Sequence, residues 1–378
     1  MPTKIENFNV NWVNGMKINR NHFIQQENAF HDHLRDAISI TLNNRNYGLL
    51  SLDIPSRVSV TTEIMIDNEN FIKAKIHQYR AVSQGGVRIE ILKEHLIDEF
   101  KLEIDRESEF EAGGSMNDFY VMLSLDLFNR QNFGELKTNE EPPRFPFTIP
   151  SYKFHIISEK QIRKNTYQPF SFFIGRISIL HDKIKIQENY IPPCRTINSH
   201  LSLISFLDEI RKSYNQVEFY LVSIIQKIKE KNQNTSLAQS VLSLSKELLS
   251  FITLNQSRLQ WEIPDLPPIF LFNHIATSAR VIKNTIEANT SGDREEMLNY
   301  FTNWSELKQG DFEKLLNNCM NFDYEHYNIL HSVEQFGEFV QVIFSLFEKL
   351  ESLTYIGKKK DTGIFVKEEK KKRSFLAD

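Results

Sequence analysis

Tyr190-Ile191-Pro192-Pro193-Cys194 separates two stretches of chain whose apolar residues repeat at different periods. Upstream, apolar and polar residues alternate: Val58 and Val60, then Ile72, Ala74 and Ile76, then Val87, Ile89 and Ile91. A period of two places one set of side chains on one face of a strand. The segments on either side of Gly85-Gly86 therefore read as a hairpin. Phe119 to Phe128 is a more continuous apolar run, the pattern of a strand buried on both faces, and Phe172 to Ile186 supplies two more short strands. Turn signals recur at Gly113-Gly114, Pro142-Pro143 and Pro150. An antiparallel sandwich or barrel is the natural reading, with an N-terminal helix packed on it.

Downstream, the period becomes helical. Leu203, Leu207, Ile210, Tyr214, Val217, Leu221, Ile224 and Ile228 are spaced alternately by four and three, a heptad seam on one helix of about 30 residues. Asn232 to Asn234 ends it, and Thr235 can cap a second helix striped by Leu237, Val241, Leu244, Leu248 and Phe251. So short a link joins antiparallel neighbours. Pro268 can open a third helix. A last one carries Ile329, Val333, Phe336, Val340, Ile343, Phe347 and Leu350. Such stripes usually form the core of a bundle within one chain. The length of the first seam, and the His200 and Tyr214 associated with it, also suit packing across a symmetry axis. The expected fold class is α+β and multidomain: a β-sandwich over 1–192, a helical bundle over 195–355 and a flexible basic tail over 356–378.

Composition narrows the function classes. The 378 residues are 40% apolar and 25% charged, an ordinary globular balance. No apolar run approaches the ~20 residues of a membrane span, and the start lacks a signal-peptide pattern. Two lone cysteines, Cys194 and Cys319, supply neither a disulfide framework nor metal spacing. These features favour the cytoplasm. A net charge of -4 argues against a nucleic-acid partner. Residues 358–373 nevertheless hold eight Lys or Arg against three acids, a net +5, which leaves the rest of the chain at -9.

Residues Trp12 to Gln26 read W-V-N-G-M-K-I-N-R-N-H-F-I-Q-Q. Gly15 permits a turn, Asn19 and Asn21 are both able to cap a helix, and the helix can run through Phe23, Phe30, Leu34 and Ile38. Trp12, Gly15, Met16, His22, Phe23, Gln25 and Gln26 resemble the opening of the TssK family, baseplate subunits of bacterial type VI secretion systems. Four later segments resemble the same family in the same order: Asn46-Tyr47-Gly48-Leu49, Pro142-Pro143-Arg144-Phe145, Tyr190 to Cys194, and Phe322-Asp323-Tyr324-Glu325-His326. Asn14, Arg20 and Asn21 depart from the family's pattern.

The resemblance implies a structural adaptor and not an enzyme. It implies a homotrimer whose sandwich, the shoulder, holds a wedge of TssF- and TssG-like proteins, and whose bundle is the neck. The seven matching residues of the opening block are the wedge-interface candidates, although Trp12 and Phe23 could equally be shoulder core. The Leu203-to-Ile228 seam is the candidate trimer packing. A C-terminal head would contact the membrane complex, but after Leu353 only 25 residues follow, too few for such a domain. Lys358, Lys359, Lys360, Lys370, Lys371, Lys372 and Arg373 are the candidates for a membrane-side role, reached directly or through a bridging protein. The expected site is the cytoplasmic face of the membrane. A phage-type tail or receptor-binding protein shares the same sandwich-and-neck plan and is the alternative.

No cofactor or metal site is expected. Nucleotide-binding glycine motifs and the G-x-S-x-G elbow are absent from the sequence. In His31-Asp32-His33 the two imidazoles point about 200° apart on a helix, which suits an exposed polar face better than an ion. Glu103, Asp105, Glu107 and Glu109 share one face if extended, as on a solvated strand. His22 and His326 lie among aromatic residues and read as hydrogen-bonded structural histidines, and Cys194 as a small buried hydrophobe.

Overall fold

The structure, a computed structural model, describes residues 4–51, 60–66, 71–91, 96–101, 117–165, 167–180, 183–304 and 308–357. Val58 and the acidic run from Glu103 to Glu109 lie outside these residues. Among the described residues, two antiparallel sheets come first and helices follow, so the chain is α+β.

The first sheet is organised around one strand. It contains β1 (Gly48–Leu49), β2 (Val60–Ile66), β3 (Phe71–Val82), β4 (Arg88–Ile91) and β5 (Leu96–Lys101). The stretch from Ile72 to Ile76 pairs with β2 on one side and β5 on the other, while Ala81 and Val82 pair with β1 and β4. Ile72, Ala74 and Ile76, the alternating set, are buried. The second sheet runs β7 (Phe147–Ser158), β6 (Asn117–Phe133), β8 (Ser171–Leu180), β9 (Lys183–Ile186). β6 is central, and Phe119 to Leu123 are buried on both faces. The sheets pack as a sandwich. The Tyr79 hydroxyl donates to the Phe173 carbonyl at 2.8 Å, and its ring meets Phe172 edge-on at 6.0 Å.

Among the described residues there are eight α-helices, of which two belong to the sandwich half, α1 (Arg20–Ser39) and the single turn α2 (Glu159–Arg163). Six build the bundle: α3 (Leu201–Glu230), α4 (Ser236–Trp261), α5 (Ile269–Glu287), α6 (Ser291–Trp304), α7 (Gln309–Met320) and α8 (Ile329–Ser352). The 30 residues of α3 extend about 45 Å. His200 lies just outside the helix as its cap, its Nδ1 accepting from the Ser202 N–H at 3.2 Å. Thr235 caps α4 through the Ala238 N–H. α4 returns antiparallel, with Gln256 donating to Asn215 at 2.6 Å. α8 lies parallel to α3, where Ser223 donates to Glu351 at 2.9 Å.

This arrangement corrects the reading of the heptad seam. Leu203, Leu207, Ile210, Tyr214, Val217, Leu221, Ile224 and Ile228 are each at most 7% exposed, because the chain's own helices cover them. Tyr214 is anchored there too, its hydroxyl donating to Ser278 of α5 at 3.2 Å. The seam is therefore core of a single chain. On the outer faces of these helices Phe219, Val222, Leu254 and Trp261 are exposed.

The C-terminal end of the described chain differs from expectation as well. Ile356 is buried, its N–H donating to Gln233 Oε1 at 3.0 Å, and the Gly357 N–H donates to the Tyr300 hydroxyl at 3.1 Å. These two residues belong to the bundle and not to a tail. Lys358, Lys359, Lys360, Lys370, Lys371, Lys372 and Arg373 lie outside the described residues.

Placement of the seam in the core predicts that Leu221→Ala lowers the free energy of unfolding by about 2–5 kcal/mol. Chemical denaturation followed by circular dichroism measures this.

Candidate functional site

The opening block forms a strap and a helix. Residues 4–18 run along α1 and are tied to it by polar groups. Asp32 Oδ2 accepts from the Glu6 and Asn7 N–H groups at 2.8 and 2.9 Å, and Arg35 donates to the Lys4 carbonyl at 3.2 Å. Gln26 accepts from the Val10 N–H at 3.0 Å and donates to Asn9 at 3.1 Å. Asp32 and Arg35 pair with each other in the interior, both at most 3% exposed. Burial pushes the Asp32 carboxyl up, but the Arg35, Glu6 and Asn7 donors outweigh it and hold the group down at about 2. The His31-Asp32-His33 triplet is thus split: the histidines are exposed and the aspartate is buried and paired.

Asn19 caps the helix, accepting from the Asn21 N–H at 2.9 Å, while His22 Nδ1 accepts from the Asn19 N–H at 3.3 Å. The face of α1 turned to the sandwich carries Ala29, Asp32, Arg35 and Ser39. The Arg35 guanidinium lies 5.5 Å from the Phe170 ring, and Arg130 of β6 reaches both Glu27 and Asn28. The apolar stripe points the other way. Phe23 is 61% exposed, Phe30 58%, Leu34 46% and Ile38 37%. The strap adds Phe8, Trp12, Val13 and Ile18, all exposed.

The seven candidates of the opening block fall into distinct places. Trp12 gathers His22 and Phe23, with ring centroids 6.1 Å from each. Trp12 is 46% exposed, so neither it nor Phe23 is shoulder core. Gly15 makes the turn at φ +81, Met16 is half-buried and bonds back to Val13, Gln26 ties the strap down and Gln25 is exposed. Sequence reasoning missed the Asp32–Arg35 clamp. Its available signal was a charged pair three residues apart on the side opposite the apolar stripe.

A second site lies where sandwich meets bundle. Three of the five ordered segments converge there. The Leu49 N–H donates to the Pro193 carbonyl at 2.7 Å, and the Arg195 N–H to the Leu49 carbonyl at 2.9 Å. His326 donates from Nε2 to the Tyr47 carbonyl at 2.9 Å. A carbonyl only accepts, so the proton is on Nε2, and Nδ1 accepts from the Tyr324 hydroxyl at 2.7 Å. Tyr190 donates to the Tyr327 carbonyl at 3.1 Å, and Arg163 of α2 pairs with Glu325 at 2.9 Å. Cys194 is fully buried, and burial pushes its thiol well up. The fourth segment, Pro142 to Phe145, lies apart at the exposed β6–β7 connection, where Arg144 pairs with Glu140.

Among the described residues no group of three His, Cys, Asp or Glu could hold a metal ion, and no helix is long and apolar enough to cross a membrane.

No family model and no curated protein matches the sequence. In fold, the chain is similar to solved structures of TssK. A TssK crystal structure is 13% identical, with 89% of this chain and 68% of that chain covered and a TM-score of 0.48. TssK from the type VI secretion system of EAEC, bound to a nanobody, is 14% identical over 86% of this chain and 99% of that one, at 0.45. TssK in a TssK–TssF–TssG baseplate subcomplex, solved by cryo-electron microscopy, is 11% identical over 89% and 100%, at 0.47.

Burial pulls His326 down from 6.5 to about 4, against the opposing hydrogen bond to Tyr47. Burial takes His200 and His274 to about 4 as well. Between pH 6.5 and 4 the unfolded chain binds protons that the folded one does not, so stability falls as pH drops through this window. Urea midpoints measured across it are expected to decline, and His326→Gln is expected to flatten the decline.

Proposed function

We propose that the protein is a non-catalytic structural adaptor of a type VI secretion baseplate, working as a homotrimer at the cytoplasmic face of the membrane. One observation carries the proposal. The block that most resembles TssK is the block whose helix turns its apolar stripe outward on a strap-braced platform. An exposed apolar surface of this extent marks an interaction site. The wedge partners, TssF- and TssG-like proteins, follow from the resemblance. Trp12, Phe23 and Phe30 are the anchors assigned to them. The basic segment from Lys358 to Arg373 is assigned to an acidic or membrane-side partner.

The trimer contact is reassigned from the buried seam to Phe219, Val222, Leu254 and Trp261. Light scattering is expected to give about 133 kDa for the purified protein, three copies of the 44.4 kDa chain. Phe219→Ser with Leu254→Ser should shift the mass toward one copy while the fold survives. A monomeric parent protein would remove the homotrimer from the proposal.

Co-expression with TssF- and TssG-like proteins tests the platform. Co-purification is expected for the parent chain and a loss of at least tenfold for Phe23→Ser with Trp12→Ser, since burying a large apolar side chain contributes about 1.5–3 kcal/mol. Unchanged capture would move the wedge contact elsewhere. Binding to a cell-surface ligand with no capture of wedge proteins would favour the phage-type alternative.

A further inference from the structure

A half-open groove of about 660 Å³ lies beside the junction, between the loop after α1 and the bundle. Its floor and walls include Phe270, Phe272, Phe322, Tyr324 and Phe336. Phe270 is 38% exposed, and Met320, Phe322 and Tyr324 are each half-buried. Apolar surface is therefore open to solvent here. The rim is different in kind. Asn43 and Asn46 spend their carboxamides on the loop itself, Asn46 bonding Asn43 and Thr41 and Asn43 bonding Arg45, whereas Asn44 and Asn273 are exposed and able both to donate and to accept. Arg45 is the one cation among the lining residues, and no carboxylate is among them. Its guanidinium is exposed and pairs with no acid among the described residues.

We propose that this groove is a second protein-binding site, which takes an extended partner segment holding a large apolar side chain next to an Asp or Glu. The apolar side chain enters between Phe270 and Phe322. The acid meets Arg45, the single uncompensated charge on the rim. Asn44 and Asn273 bond the segment's peptide groups, which present a donor and an acceptor at each residue. A purely apolar occupant would leave the carboxamides of Asn44 and Asn273 unpaired, at a cost comparable to a lost hydrogen bond for each one desolvated. A basic occupant would meet Arg45 with like charge. The groove lies apart from the α1 platform, and the proposal does not depend on the baseplate reading.

The test uses the full-length protein on an array of immobilised hexapeptides. One position holds Phe, Leu or Trp, the next holds Asp, Ser or Lys, and the rest are Gly and Ser. Retention on the Asp members is expected to exceed that on the Lys members by about tenfold. Arg45→Glu should reverse the preference, and Ala276→Trp, which fills the groove, should abolish retention. Arg45 is exposed, so its variant is expected to keep the parent circular dichroism spectrum. Binding that ignores the charge of the peptide, an unaltered preference in Arg45→Glu, or no retention on any member would each overturn the proposal.

Discussion

The backbone from Tyr47 to Leu49 lies inside the protein, and everything around it is arranged to satisfy its polar groups. A buried peptide group left unpaired costs about 1–3 kcal/mol, so such a segment must find partners. Here they come from three distant parts of the chain. Val82 and Ala81 pair with β1 from within the first sheet. Pro193 and Arg195 bond Leu49 on its other side. His326, just ahead of α8, completes the Tyr47 carbonyl. Gly48 is required for this approach. At its φ of +105 a Cβ would sit 1.9 Å from the Pro193 carbonyl oxygen. Sheet, diproline segment and last helix are thereby fixed to one another at a single point, and the aromatic set of Tyr120, Phe173, Tyr190 and Tyr327 packs around it. Sandwich and bundle share one continuous buried core.

How much of this was legible depended on whether a residue's neighbours lie close in sequence. The change of period at Pro192-Pro193 located the boundary between strands and helices, because side-chain alternation is a local property. The hairpin at Gly85-Gly86, the capping by Thr235 and the 30-residue α3 followed for the same reason. Two bundle helices were not read. In α6 the buried residues Met297, Leu298, Tyr300 and Phe301 share one face but span little more than a single turn, so the stripe is too short to stand out in the sequence. In α7 a stripe does exist at Phe312, Leu315, Leu316 and Cys319, on a short polar helix. The heptad seam shows the limit in another form. Its spacing specifies a helix with one apolar face, but whether that face meets the same chain or a second copy depends on α4, α5 and α8, and the spacing contains nothing of them. Likewise, the ordered segments around Tyr47, Tyr190 and His326 could be named from sequence, while their convergence is a long-range property.

The orientation of α1 runs against the usual rule for amphipathic helices. An amphipathic helix ordinarily hides its apolar stripe. Here the buried face is polar, and it is tolerated because Asp32 and Arg35 neutralise each other and spend their remaining hydrogen bonds on the backbone of the strap. Removing either partner would leave an uncompensated interior charge, so the two side chains depend on each other. The apolar stripe is then held outward on a rigid support. A ligand for that surface need not order the helix or the strap, which removes one of the main costs of association. The outer faces of α3 and α4 have the same logic, since Phe219 and Leu254 stand on helices already fixed by a closed core. Polar groups inside and apolar groups outside are therefore two sides of one arrangement, in which the chain's own contacts supply stability and leave the apolar surface exposed.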